Sequence, residues 1–358
     1  MLLRLFLFLF CLFGSLAAHA TSVVFLNPGR STEVFWVGYT RFMQAAADDL
    51  GFELTVLYGE RDTQRTLQQA RETLDSEVLP DYLLFVNEEH AGPEILRLAA
   101  GKPIKLFSVN SHLTEEQQRY TGNTRENHPN WIGSMVPNDE EAGYLMAREL
   151  FVQAEQGTSG EIELIAFAGN RQTPASRIRE AGLQRALAEH PRVRLRQMVY
   201  GEWSRQRAYE QAQLLLPRYP QTRVIWAAND EMAFGAMQAL EERHKVPGKD
   251  VLFSALNTSR EVLQARIDGR ISALVGGHFT LGGWALVLLR DYESGLDFAA
   301  HGGKDRQVPL FRLLDEKQSR RLMQRQEQKG FGLDFWKFTL QGRPGVEDYR
   351  FSLDALLD

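Results

Sequence analysis

The residues able to break bonds are scattered along this chain. Eight histidines stand at positions 19, 90, 112, 128, 190, 244, 278 and 301, none of them three to five residues from another, so no helix carries a pair spaced for a metal ion. The carboxylate pairs Glu88-Glu89, Glu115-Glu116, Glu140-Glu141 and Glu241-Glu242 are adjacent rather than spaced to meet on one helix face, and read as solvated surface. There is no Gly-x-Ser-x-Gly elbow, no Gly-x-x-x-x-Gly-Lys-Ser/Thr loop and no Gly-x-Gly-x-x-Gly turn after the first strand. The sequence therefore reads as a non-enzyme with no cofactor and no metal.

What it does offer is a set of aromatic, amide and guanidinium groups suited to gripping a small molecule. Asn27 ends the first apolar run, and Phe35-Trp36 follow as a helix begins. Neighbours on a helix point about 100° apart, so one ring can anchor the core while the other overhangs a cleft, and an indole face stacks well on the C–H face of a sugar. In Ser176-Arg177-Ile178-Arg179-Glu180, an arginine near a helix start opposes the dipole. It is either plain surface or held for ligand hydroxyls or an anion, and Arg177 rather than Arg179 is the expected ligand residue. Trp203 follows Gly201-Glu202, and Asn229-Asp230 end one run and open a helix, where capping alone would explain them.

These residues recur at the carboxyl ends of short apolar runs. Strands are expected at 22–27, 53–58, 82–87 and 104–109, separated by helices over 39–50, 63–76 and 93–100. After a polar stretch at 110–130 the alternation repeats, with strands at 162–168, 194–200, 224–228 and 251–256 and helices at 139–153, 175–189, 205–216 and 231–243. Continuous apolar strands alternating with helices predict an α/β fold of two doubly wound parallel-sheet lobes, which bind ligands outside the carboxyl ends of their strands. The tail from Val308 shows no further strand–helix repeat.

Length and charge agree. With 358 residues, 44% of them hydrophobic, the chain exceeds one ordinary domain, and 41 basic against 46 acidic residues leave no basic footprint for nucleic acid. Residues 1–20 have the order of a secretory signal: Arg4, the apolar run Leu5 to Phe13, then Ala18-His19-Ala20. Cleavage before Thr21 would remove the sole cysteine, Cys11, and leave 40 bases against 46 acids, a mature exported protein held together by its core alone.

At the run NDEMAFGAMQAL, residues 229–240, the sequence resembles the periplasmic sugar-binding proteins of the ribose and galactose type, relatives of the effector domains of lactose-repressor regulators and of the autoinducer-2 receptors. The aromatic pair, the arginine before Ala181-Gly182-Leu183, Trp203 and Asn229 fall in the family's order over nearly all of 21–295. The resemblance implies a type I periplasmic binding protein with three hinge crossings, near Met135, Gly277 and Val308. Its lobes would be 21–134 with 278–307, and 135–277 with 308–358. It further implies that Phe35 and Trp36 stack on the ligand, Arg177 and Asn229 bind its hydroxyls, and Trp203 forms a second wall. Asn110 and Asn257 stand where sugar binders often carry aspartates, and His278 beside Gly277 where ribose binders carry a polar amide. Partners implied are a sugar or sugar-like ligand and the permease of an ABC importer, or alternatively a membrane sensor protein, with the binding protein itself a monomer.

Overall fold

The computed structural model describes residues 20–156, 158–343 and 345–358, so the expected signal segment, Cys11 included, lies outside the described residues apart from Ala20. The first lobe runs β1 (Thr21–Asn27), α1 (Val34–Leu50), β2 (Phe52–Tyr58), α2 (Thr63–Leu74), β3 (Tyr82–Phe85), α3 (Gly92–Leu98), β4 (Lys105–Val109), α4 (Glu115–Thr121) and β5 (Trp131–Pro137). Local chemistry sets these limits. Gly51 ends α1 in the left-handed conformation with φ 76°, Asp62 accepts from the Gln64 and Arg65 amides to start α2, and Thr114 with Gln117 forms a capping box on α4.

The second lobe repeats the plan with α5 (Asp139–Gln156), β6 (Ile162–Ala168), α6 (Pro174–Glu189), β7 (Val193–Tyr200), α7 (Arg205–Arg218), β8 (Thr222–Ala227), α8 (Asp230–Glu241), β9 (Leu252–Leu256), α9 (Arg260–Ile267) and β10 (Ala273–Gly276). The chain then returns to the first lobe with α10 (Leu281–Glu293), which packs on α1, and β11 (Asp305–Val308). It crosses again to β12 (Arg312–Leu313), α11 (Glu316–Glu327) and finally α12 (Asp354–Leu357).

Each lobe has a six-stranded sheet, ordered β11-β5-β4-β3-β1-β2 and β12-β10-β9-β8-β6-β7. All neighbours are parallel except β12, which runs antiparallel to β10. The order reverses between β1 and β3 in one lobe and between β6 and β8 in the other, so loops diverge there and leave a crevice. The two crevices face each other.

Three crossings join the sheets: after Pro137, at Gly277, and over residues 309–311. The first lies two residues beyond Met135, because β5 stays paired with β11 as far as Pro137. Gly277 has φ 139°, and a Cβ there would lie 2.0 Å from the Leu310 carbonyl oxygen, so the second and third crossings touch where only glycine fits.

The tail departs from the expected lobe boundaries, which placed all of 308–358 in the second lobe. Helix α11 does pack there, on α9, but the chain then swings onto the first lobe. Phe331 and Phe335 meet Phe42 edge-on at 5.0 and 5.3 Å, and Trp284 receives Phe338 at 4.8 Å and Phe351 at 5.4 Å. Buried Asp291 accepts from the Leu340 amide at 2.6 Å and the Tyr349 hydroxyl at 2.9 Å. Arg312 then pairs with Asp354 at 3.0 Å as α12 returns to α11. The reason is apolar area: the outer faces of α1 and α10 present Phe42 and Trp284, and the aromatic tail covers them.

Candidate ligand-binding site

Between the lobes lies a small cavity lined by residues of both, with about 50 Å³ open to water-sized molecules. Trp36, wholly buried, packs against Phe25 and Tyr39 of the first lobe, while half-buried Phe35 leans over the cleft and stacks on the His278 ring at 4.5 Å and 18°. One ring of the pair thus anchors the core and the other overhangs the cleft. On the far side of the His278 ring is Phe311, at 5.1 Å.

The second lobe supplies the opposite wall. The Trp203 ring lies against Gly169 and beneath the Arg179 guanidinium, 5.4 Å from its centroid, and the Trp203 carbonyl accepts from the Asn229 amide at 3.2 Å. Asn229 is also the cap of α8, its Oδ1 accepting from the Met232 amide at 2.9 Å, so capping and cleft lining are one job for this side chain. Asn257 donates to Asp230 at 2.6 Å, and Ser259 holds that carboxyl's other oxygen at 2.7 Å. Burial pushes the Asp230 carboxyl up to about 6 against the pull of those two bonds.

Seven of the nine expected ligand residues line the cavity: Phe35, Trp36, Asn110, Trp203, Asn229, Asn257 and His278. Arg177 and Asn27 do not. Helix α6 buries the stripe Ala175, Arg179, Gly182, Leu183 and Ala186, and Arg177 falls off that stripe into solvent, so Arg179 is the arginine that reaches the cleft. Asn27 is buried but turned inward, accepting from the Gly29 amide at 2.9 Å and donating to Thr40 at 3.1 Å to fix the β1–α1 loop.

Four further polar residues complete the lining. Arg61 is held by both oxygens of Glu33, with Nε to Oε2 at 2.9 Å, and by Glu88 at 2.8 Å. Glu88 in turn accepts from Thr173 of the second lobe at 3.0 Å, and Glu89 from Asn170 at 3.2 Å. The Glu88-Glu89 pair is therefore not solvated surface but a bridge between the lobes. Burial pushes the Glu88 carboxyl above its usual range, Arg61 and Thr173 opposing. Glu33, Arg61 and Glu88 precede or follow strand ends as the expected residues do, and the carboxyl-end rule applied to β2 and β3 would have found Arg61 and Glu88.

Three polar atoms on cleft residues lack a protein partner among the described residues: Trp36 Nε1, Asn110 Oδ1 and His278 Nδ1. Burial, with Arg179 nearby, drives His278 well below its ordinary range and keeps it neutral. Of the eleven non-glycine residues with positive φ among the described residues, eight sit in the strand-end loops around the cleft, among them Arg61, Glu89, Asn110, Trp203 and Asn257. Backbone strain of this kind gathers at ligand clamps. No group of three or more His, Cys, Asp or Glu side chains among the described residues is arranged for a metal ion.

A family model described as a periplasmic binding protein domain matches residues 23–296. The chain belongs to the periplasmic binding protein family. A crystal structure of a periplasmic sugar-binding protein from Pseudomonas fluorescens is 55% identical to this binding protein, with a TM-score of 0.87 over 94% of this chain and 100% of that one. The ribose import binding protein of Escherichia coli K12 is 25% identical over 260 residues, 72% of this chain and 80% of its own. A galactofuranose binding protein, 17% identical at a TM-score of 0.73, shares the fold. The family match ends near Gly295, so the tail that covers α1 and α10 lies outside it.

Proposed function

We propose that this periplasmic binding protein captures one sugar or sugar-like molecule between its lobes and presents the closed form to the permease of an ABC importer. The observation that carries the reading is the cleft itself: Phe35 and Trp36 on one wall face Trp203 on the other, with amides, an imidazole and guanidiniums between them. Rings supply faces for a sugar's C–H surface, and the partnerless Asn110 and His278 atoms supply bonds to its hydroxyls. The import function named for the ribose-binding relative supports the partner. Export to the periplasm with loss of residues 1–20 belongs to the same reading.

Binding needs no covalent step. Closure buries the ligand in a dry space where hydrogen bonds strengthen, and the Glu88–Thr173 and Glu89–Asn170 bonds form only when the lobes meet. The test is a thermal-shift screen of residues 21–358 against sugars and polyols, followed by calorimetry. A ligand at 100 times its Kd adds about 2.7 kcal/mol. If no sugar or polyol raises the transition, the reading fails. Co-purification with a sensor kinase instead of a permease would move the partner to signalling.

A further inference from the structure

Two arginines reach the cleft, and an arginine in a binding cleft is ordinarily a clamp for a carboxylate or phosphate. Here both are already matched in charge by carboxylates of the protein. Arg61 donates Nε and Nη2 to both oxygens of Glu33 and Nη1 to Glu88. Arg179 donates Nε to Asp139 at 2.7 Å and Nη1 to the Ala228 carbonyl at 3.1 Å, and both partners of that ion pair are almost fully withdrawn from water.

We infer that the Glu33–Arg61–Glu88 triad and the Arg179–Asp139 pair set a charge filter: the cleft takes an uncharged polyhydroxyl ligand and rejects its acid or phosphate counterpart. This rests on the sugar-binding reading and deepens it. The compensation of Arg61 does not hang on Glu88, because Glu33 alone grips two of its nitrogens. An anion entering the cleft meets two carboxylates on the first-lobe wall, a neutral imidazole, and guanidiniums already matched in charge. It would lose its water shell without gaining an uncompensated cation, whereas a hydroxyl can accept from Arg179 Nη2, which has no protein acceptor among the described residues, and donate to Glu88. The same carboxylates that silence the arginines are thus acceptors for ligand hydroxyl protons.

The experiment uses the mature chain and matched probes: D-galactose with D-galacturonate, D-glucose with D-glucuronate, and D-ribose with D-ribose 5-phosphate, within a wider panel of neutral sugars each paired with its acid. Thermal shift ranks them and calorimetry gives the Kd values. At least one neutral sugar is expected to bind, with its charged partner at least 100-fold weaker. In Glu33→Gln, which frees Arg61 toward the cleft, that ratio is expected to narrow at least tenfold, with Glu33→Asn as the second variant should the first fold poorly. A charged member that binds as tightly as its neutral parent overturns the filter and leaves sugar binding standing. An unchanged ratio in both folded variants removes the triad as its cause. Silence from every probe overturns the sugar reading, and this inference with it.

Discussion

The ring of Trp203 rests on Gly169, so closely that a Cβ added there would lie 2.1 Å from the ring atom Cζ2. Gly29 stands in the same relation to Trp36, 1.9 Å from Cδ1, so each lobe seats one cleft tryptophan on the glycine that follows its first strand. Gly169→Ala should push the half-exposed Trp203 ring out of the cleft. We expect a loss of ligand affinity of tenfold or more, about 1.4 kcal/mol, with a shift in tryptophan fluorescence and a stability loss no greater than about 1–3 kcal/mol. Calorimetry against unchanged fluorescence would tell a displaced ring from a mere change of loop shape.

The two arginines of α6 should behave oppositely. Arg177 is exposed, and Arg177→Ala should change neither ligand affinity nor stability beyond about 0.5 kcal/mol. Arg179→Ala strands the buried Asp139 carboxylate and should cost about 3–5 kcal/mol in urea unfolding, whereas the double variant Arg179→Met with Asp139→Leu should recover most of that. A costly Arg177→Ala would return the cleft role to that residue.

Thr173→Val keeps the side chain's shape and removes the donor to Glu88. The closed form should lose about 1–2 kcal/mol, weakening the ligand roughly 5- to 30-fold. Small-angle scattering at a fixed, subsaturating ligand concentration should show a larger mean radius of gyration than for the unaltered protein. Equal affinity would mean that the bridge contributes nothing to closure.

Stability should carry a pH signature from Asp230. Its folded-state pKa, about 6, stands above the ordinary 3.8, so the native state binds the proton more tightly than the unfolded chain. The contribution is fully present below about pH 4 and is lost as pH rises to 6, up to about 3 kcal/mol. His278 acts the other way: its depressed folded pKa costs stability as pH falls below about 6.5. The two slopes overlap, so the measurement is the difference in urea midpoint between the unaltered protein and Asp230→Asn from pH 4 to 7. That difference should shrink with rising pH, and a flat difference would contradict the raised pKa.

The βα alternation of both lobes is legible in the sequence because parallel strands buried on both faces leave unbroken apolar runs such as Tyr82–Phe85. Strand β5 is missed, since Trp131–Pro137 mixes Gly133 and Ser134 into its run and owes its place to pairing with β11, which follows it by more than 160 residues. The aromatic and amide lining was readable from position at strand ends. The choice between Arg177 and Arg179 was not, because it depends on which side of α6 meets α5. Glu88 escaped for a different reason: adjacent carboxylates are usually surface, and nothing local reveals that Arg61 and Thr173 converge on this one from two other loops.

The tail that covers α1 and α10 keeps the first lobe unfinished until nearly the whole chain is present. The Asp49 carboxylate at the end of α1 accepts from the Phe335 amide at 2.6 Å across 286 positions. A chain delivered amino end first cannot complete its own first domain: Phe42 and Trp284 meet each other but keep an uncovered side until the segment from 331 to 351 has arrived, after the last strand of the second-lobe sheet. The lobe that opens the chain therefore closes only when the chain is nearly all present, and the aromatic face exposed in the interval is the surface that a folding helper would have to shield.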